Sequence, residues 1–148
     1  WALPDMLPEI DFVSIGTNDL TQYTFAVDRG NSRVTKWFCQ MHPVLLRMIK
    51  ETCDLVRATP GKRVSLCGEV AGSPLAVPLL MGCGLRFFSM NPWRIPLVRS
   101  VIRAVSMSDC QALLEEAVSC RLDAEVTALA TTFAKKHGIK GGGLRAQQ

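Results

Sequence analysis

Asp19 stands next to Asn18, just past a short apolar run from Phe12 to Ile15 that closes on Gly16 and Thr17. A carboxylate there could bind a hard cation. Magnesium takes one or two protein carboxylates and completes its shell with waters and substrate phosphates. An Asx-type turn leaving a strand, with both side chains bonding nearby backbone, accounts for the same pair, and spacing alone ranks that turn first. Further on, Arg29 in Asp28-Arg29-Gly30-Asn31 offers a planar fork matched to phosphate or carboxylate. Its competing use is a surface pair with Asp28 or another acid. Cys67 ends a second apolar run and is followed by Gly68 and Glu69. It is either an exposed thiol at a strand end or, as a lone cysteine in such a run more often is, a small buried hydrophobe. Glu69 either pairs with a cation in the site or faces solvent. Gly68 and Gly72 either let a ligand approach the backbone or only make a turn. His42, where a helix starts, and His137, at a helix end facing the dipole, read as structural. Taken one by one, the structural readings outweigh the chemical ones.

The elements that must position these groups alternate along the chain. Residues 11–16 read as a buried strand, and residues 17–29 as a loop with at most a helical turn through 20–23. A helix follows from His42, with Pro43 in its first turn and apolar residues at helical spacing, ending near Thr59, Pro60 and Gly61. Residues 64–67 form a second apolar run. Ser73 then reads as an N-cap and Pro74 as the first position of a helix reaching Met81. A third run, 86–90, follows Gly82-Cys83-Gly84. Helices are expected at 95–105, 109–120 and 122–137, the second with Ser108 as N-cap and Gln111 completing a capping box. Strand–helix alternation implies an α/β fold with parallel strands and crossover helices. Short, largely apolar strands imply cover on both faces. In such folds chemistry gathers at the C-terminal ends of the strands, and Asn18, Asp19, Cys67, Glu69 and Asn91 all fall there.

Composition narrows the classes. The chain has 148 residues, 48% hydrophobic and 20% charged, the balance of an ordinary globular protein. Its +4 charge is scattered, and six Phe, three Trp and one Tyr, mostly in apolar surroundings, supply no stacking platform. Nucleic-acid binding is therefore disfavoured. No run approaches the ~18 apolar residues of a membrane span; the most apolar window, 70–85, is broken by Pro74, Pro78 and glycines. No signal peptide is evident. The six cysteines form no C-x-x-C pair, which points to reduced thiols in a cytosolic protein, neither a disulfide framework nor a zinc site. The chain opens on Trp1 with Pro4 and Pro8 close behind, and reads as cut from something longer. Residues 140–148, with three consecutive glycines, read as a flexible tail beyond a domain of residues 1–139.

Two stretches, SIGTNDLTQYTFAVDRGN and SLCGEVAG, closely resemble the C-terminal domain of the phosphoenolpyruvate-protein phosphotransferases, enzyme I of the bacterial sugar phosphotransferase system. The resemblance runs from about Leu7 to the helical region near His137. It implies a (β/α)8 TIM barrel of the phosphoenolpyruvate/pyruvate type, of which this chain would hold about the last three strand–helix units. It also implies a role for each matching residue. Asp19 would be a ligand of Mg2+, Asn18 would contact the phosphate, and Arg29 would hold the phosphoryl group. Cys67 would be the acid that protonates the enolate to give pyruvate. The residue types suit that chemistry. Phosphoryl transfer is mainly a matter of positioning and charge neutralisation, and a thiol, ordinarily of pKa about 8.5, is mostly protonated at neutral pH.

The resemblance further implies transfer of the phosphoryl group to an enzyme histidine and on to a histidine phosphocarrier protein, through an N-terminal domain outside this sequence. A homodimer and a cytoplasmic location are implied as well. The family's second metal-binding Glu would lie on a strand preceding Trp1, so the chain alone is expected to be inactive, and poorly stable unless it associates. A pyruvate phosphate dikinase or phosphoenolpyruvate synthase fragment shares the barrel, and an upstream nucleotide-binding domain would decide for it. A nitrogen-branch paralogue would carry a GAF-type sensor domain. A non-catalytic truncated interaction module would fold well and bind no phosphoenolpyruvate.

Overall fold

The computed structural model describes residues 2–139. A short helix, α1 (Leu3–Met6), and a 3-10 turn (Leu7–Glu9) lead into β1 (Phe12–Gly16). The chain then alternates α2 (Thr17–Phe25), α3 (Pro43–Ala58), β2 (Arg63–Cys67), α4 (Ala76–Gly82), β3 (Phe87–Ser89) and α5 (Ile95–Ala104). Two helices finish the described part, α6 (Met107–Ser119) and α7 (Asp123–Lys136). The strands form one parallel sheet in the order β1-β2-β3, so sequence neighbours are spatial neighbours. The expected α/β class and parallel sheet are both present. The segment 140–148, read as a tail, lies outside the described residues.

Register separates the two faces of the sheet. Val13 lies opposite Val64, and Ile15 opposite Leu66, which in turn lies opposite Phe88. These residues point one way, as strand alternation requires, and all belong to the main core with residues of α3, α4, α6 and α7. Leu66 on the central strand is completely buried. The opposite face carries Phe12, Ser14, Ser65, Cys67, Phe87 and Ser89, and here Phe12 is 63% and Phe87 51% exposed. The expectation of strands covered on both faces therefore fails for the described residues: helices cover one face only. Apolar residues on both faces made the strands read as doubly buried.

The covering layer is held by close approaches. α4 packs on α6, which also meets α3 and α7. At Gly82 a Cβ would lie 2.4 Å from the Cys110 carbonyl oxygen and 2.9 Å from Leu114 Cβ, so only glycine fits that crossing. Arg47 of α3 donates through Nε to the Val118 carbonyl (2.8 Å) and through Nη2 to that of Cys120 (3.2 Å), satisfying the end of α6. His42 caps α3, its Nδ1 accepting from Val44 N at 3.2 Å, and packs edge-on against Phe25. Its structural reading stands. His137 closes α7 and stacks on Phe133 at 4.3 Å.

Three local readings change. Residues 17–25 are a helix, not a loop; Thr21 is fully buried and its hydroxyl donates to the Thr17 carbonyl at 2.7 Å. Tertiary burial overrides the low helix propensity of a threonine-rich segment. Ser73 does not cap α4 with its side chain; it closes a 3-10 turn (Glu69–Gly72), its carbonyl accepts from Ala76 and Val77, and α4 starts only at Ala76. The N-cap of α6 is Ser106, two residues before the expected Ser108, with Ser106 Oγ accepting from Asp109 N at 3.1 Å. Two serines separated only by Met107 made the two starts equivalent in sequence.

Candidate functional site at the C-terminal ends of the strands

Each strand ends at the same edge of the sheet and hands over to a polar segment. Gly16 at the end of β1 lies in register with Cys67 at the end of β2, and Cys67 with Ser89 on β3. Thr17, Asn18 and Asp19 form the first turn of α2, directly after β1. Gly68 and Glu69 follow β2, and Asn91 and Arg94 follow β3. Parallel topology thus brings together residues that lie far apart in sequence.

A hydrogen-bond chain ties the first two strand ends to the loop before α3. Thr17 Oγ1 donates to the Cys67 carbonyl at 2.9 Å. Gln40 Nε2 donates to Asn18 Oδ1 at 2.7 Å and, over a longer 3.4 Å, to Thr17 Oγ1. Gly68 makes room for this arrangement. Its φ of +122° is closed to most side chains, and a Cβ would lie 2.2 Å from Thr17 Oγ1. Gly68 therefore makes the turn, and the group that approaches its backbone is the Thr17 side chain. Neither Thr17 nor Gln40 is singled out by sequence reasoning. A polar residue in an irregular loop carries no local signal that it bonds a residue 22 positions away.

Asp19 is exposed in the first turn of α2, where the helix dipole favours an anion. Among the described residues no group of three or more His, Cys, Asp or Glu side chains could hold a metal ion. Asp19 is thus one carboxylate, which suits a cation bound mainly by waters and phosphate and does not suit an all-protein cage. Arg29 Nη1 meets Glu69 Oε1 at 3.4 Å, with the two side chains 51% and 67% exposed. This joins the two possibilities the sequence leaves open, since Arg29 pairs with an acid and Glu69 with a cation. The acid is not Asp28, which instead accepts from Gly30 N at 2.8 Å. An exposed pair contributes about 0–1 kcal/mol, so the guanidinium is easily released to a competing anion. Gln22 Oε1 accepts from Arg29 N at 3.1 Å, and Thr35 Oγ1 donates to the Arg29 carbonyl, which fixes the backbone behind it.

Cys67 is half-buried on the sheet face that the helices leave open, and its thiol approaches the Ile15 carbonyl at 3.7 Å. It is not the fully buried hydrophobe that the bland reading offered. Three other cysteines are: burial pushes the Cys53 and Cys110 thiols up to about 11 and the Cys83 thiol higher still. All six cysteines are free, as their spacing implies. The groove between α6 and α7, lined by Leu113, Leu129 and Phe133, shares no residue with the strand-end cluster. No helix among the described residues is long and apolar enough to cross a membrane.

Comparison with known proteins follows the same outline. A family profile described as "PEP-utilising enzyme, PEP-binding domain" matches residues 1–107. The phosphoenolpyruvate-protein phosphotransferase of Haemophilus influenzae is 42% identical over 131 residues, covering 88% of this chain and 23% of the relative. That of Staphylococcus carnosus is 42% identical over 135 residues, covering 90% and 23%. Multiphosphoryl transfer protein 1 of Escherichia coli is 40% identical over 132 residues, covering 89% of this chain and 16% of the relative. The chain therefore spans between 16 and 23% of the length of these curated relatives. With the profile covering most of its length and the polar strand ends gathered at one edge, the chain belongs to the PEP-binding domain family of the PEP-utilising enzymes.

Proposed function

We propose that this chain is the last three strand–helix units of a (β/α)8 barrel in a phosphoenolpyruvate-protein phosphotransferase. There it would help move the phosphoryl group of phosphoenolpyruvate to an enzyme histidine and then to a phosphocarrier protein, releasing pyruvate. One observation carries the reading: at the C-terminal ends of one parallel sheet, Asn18 and Asp19 follow β1, Cys67 closes β2, and Arg29 pairs with Glu69 two residues beyond it. The open face bearing Phe12 and Phe87 supports the barrel, because a barrel interior would cover that face and further strands would pair both sheet edges. The relatives described above are phosphotransferases and a multiphosphoryl transfer protein, which favours a phosphotransferase over a dikinase or synthase.

In this site Arg29 leaves its weak pair with Glu69 to hold phosphoryl oxygens, and the Asn18 amide donates to the same group. Asp19 would hold magnesium, which when bound supplies positive charge against the phosphate. Charge neutralisation of this kind is the main catalytic need of phosphoryl transfer. As the bond from phosphorus to the enol oxygen breaks, the leaving group is the enolate of pyruvate. Its terminal carbon takes the Cys67 proton, leaving a thiolate that is reprotonated from solvent. A second carboxylate and the accepting histidine would come from other parts of the longer protein, which is read as a cytoplasmic homodimer.

The test is Cys67→Ala in the full-length phosphotransferase. Pyruvate release should fall at least ~100-fold, the usual scale for loss of a general acid. Phosphorylation of the enzyme histidine in a single turnover should fall less, since it does not need that proton. Pyruvate release at the normal rate would remove Cys67 from the chemistry.

A further inference from the structure

The hydrogen-bond chain at the strand ends has a direction. A backbone carbonyl only accepts, so the Thr17 hydroxyl spends its single proton on Cys67 O. Toward Gln40 that hydroxyl can therefore only accept, and the Gln40 atom facing it must be the amide nitrogen. The same nitrogen has only protons to offer Asn18, so the Asn18 atom at 2.7 Å must be the carbonyl oxygen. Asn18 Nδ2, the donor end, is turned away from Gln40 and has no hydrogen-bond partner among the described residues. The orientation of one side-chain amide is thus dictated from the end of the neighbouring strand, through two intermediates.

We propose that Gln40 is a positioning residue that holds the Asn18 amide with its NH2 toward the bound anion. The inference deepens the reading of the site given above and rests on it. Without Gln40 the Asn18 amide could present either end, and its oxygen would repel a phosphate. With Gln40 the donor end is already set, so binding need not fix the rotamer. Gln40 reaches no reacting atom; it acts through Asn18. Gly68 is part of the device, because any side chain there would displace the Thr17 hydroxyl that fixes the polarity.

Two variants of the full-length phosphotransferase test this, read by side-chain amide resonances and by titration with phosphoenolpyruvate. Gln40→Met keeps the length and adds no charge. It should weaken phosphoenolpyruvate binding about fivefold, the worth of one ordinary hydrogen bond, with an unchanged melting temperature. Gln40→Glu places an acceptor where the donor was, so Asn18 must turn its NH2 toward residue 40. The Asn18 NH2 pair should then move and exchange more slowly with solvent, before any ligand is added. In the wild type the same pair should shift on titration. A full-length wild type whose Asn18 NH2 ignores phosphoenolpyruvate overturns the reading of the site and this role with it. A wild-type response that Gln40→Met leaves at full strength overturns the role of Gln40 alone. So does an Asn18 NH2 pair unmoved by Gln40→Glu.

Discussion

The two faces of the sheet are made from alternate residues of the same strands, yet they live in different surroundings. On one, Ile15 and Leu66 are sealed beneath helices, and the helices themselves are locked at Gly82 and by Arg47. On the other, Phe12 and Phe87 are more than half exposed and Cys67 is half-buried. The covered face can be read as finished packing, in which volume matters at every position. The open face keeps the pattern of an interior without its cover, and substitutions there should register in association and ligand binding more than in the stability of this chain.

That contrast can be broken in several places. Leu66→Ala, at the centre of the covered face, should cost about 2–5 kcal/mol in urea unfolding; a loss under about 1 kcal/mol would mean the helix layer is loosely packed. Gly82→Ala should cost about 1–3 kcal/mol, because its methyl collides with the Cys110 backbone. A gain in melting temperature there would show that α4 and α6 separate easily. Ser106→Ala removes the cap of α6 and should cost about 1 kcal/mol.

Glu125 gives a smaller, pH-dependent effect. The Leu122 and Arg121 N–H groups bond its carboxylate and hold its pKa below the ordinary value. Its contribution is therefore complete above the usual glutamate range and is lost as pH falls through the lowered folded value. Glu125→Ala should reduce the melting temperature slightly at neutral pH and flatten its decline under acid. Parallel curves for the two proteins would contradict this. Phe12→Ser, on the open face, should change stability by less than about 0.5 kcal/mol. A loss as large as that of Leu66→Ala would show that the open face is covered, by association, in solution.

Much of this arrangement is legible in the sequence. The strand runs, the helix opening at Pro43 and the polar residues closing each strand are local patterns, and local patterns survive without knowledge of the partners. Helix α2 is not legible, because Thr17, Thr21 and Thr24 speak against it and only burial of the first two decides otherwise. Residue types identify Asn18, Asp19, Arg29 and Cys67 as chemically able, but spacing ranks each below a structural use. Family resemblance reverses that ranking for all four, and the fold then brings them to one edge. The pairing of Arg29 with Glu69 spans 40 positions and the bond from Thr17 to Cys67 spans 50, distances at which sequence holds no periodic trace.

The order of elements also sets a timetable. Leu79 and Leu80 on α4 are sealed only when Leu113, Leu114 and Ala117 of α6, and Val126 and Ala130 of α7, arrive to share their core. On a ribosome adding about 5–20 residues per second, α7 is finished roughly 3 to 11 seconds after Gly82. For that interval α4 presents, beside α3, an apolar surface that α6 and α7 have yet to cover. This segment is therefore exposed to aggregation until α7 is complete, and codons slowing translation between α4 and α6 would lengthen its need for chaperone cover.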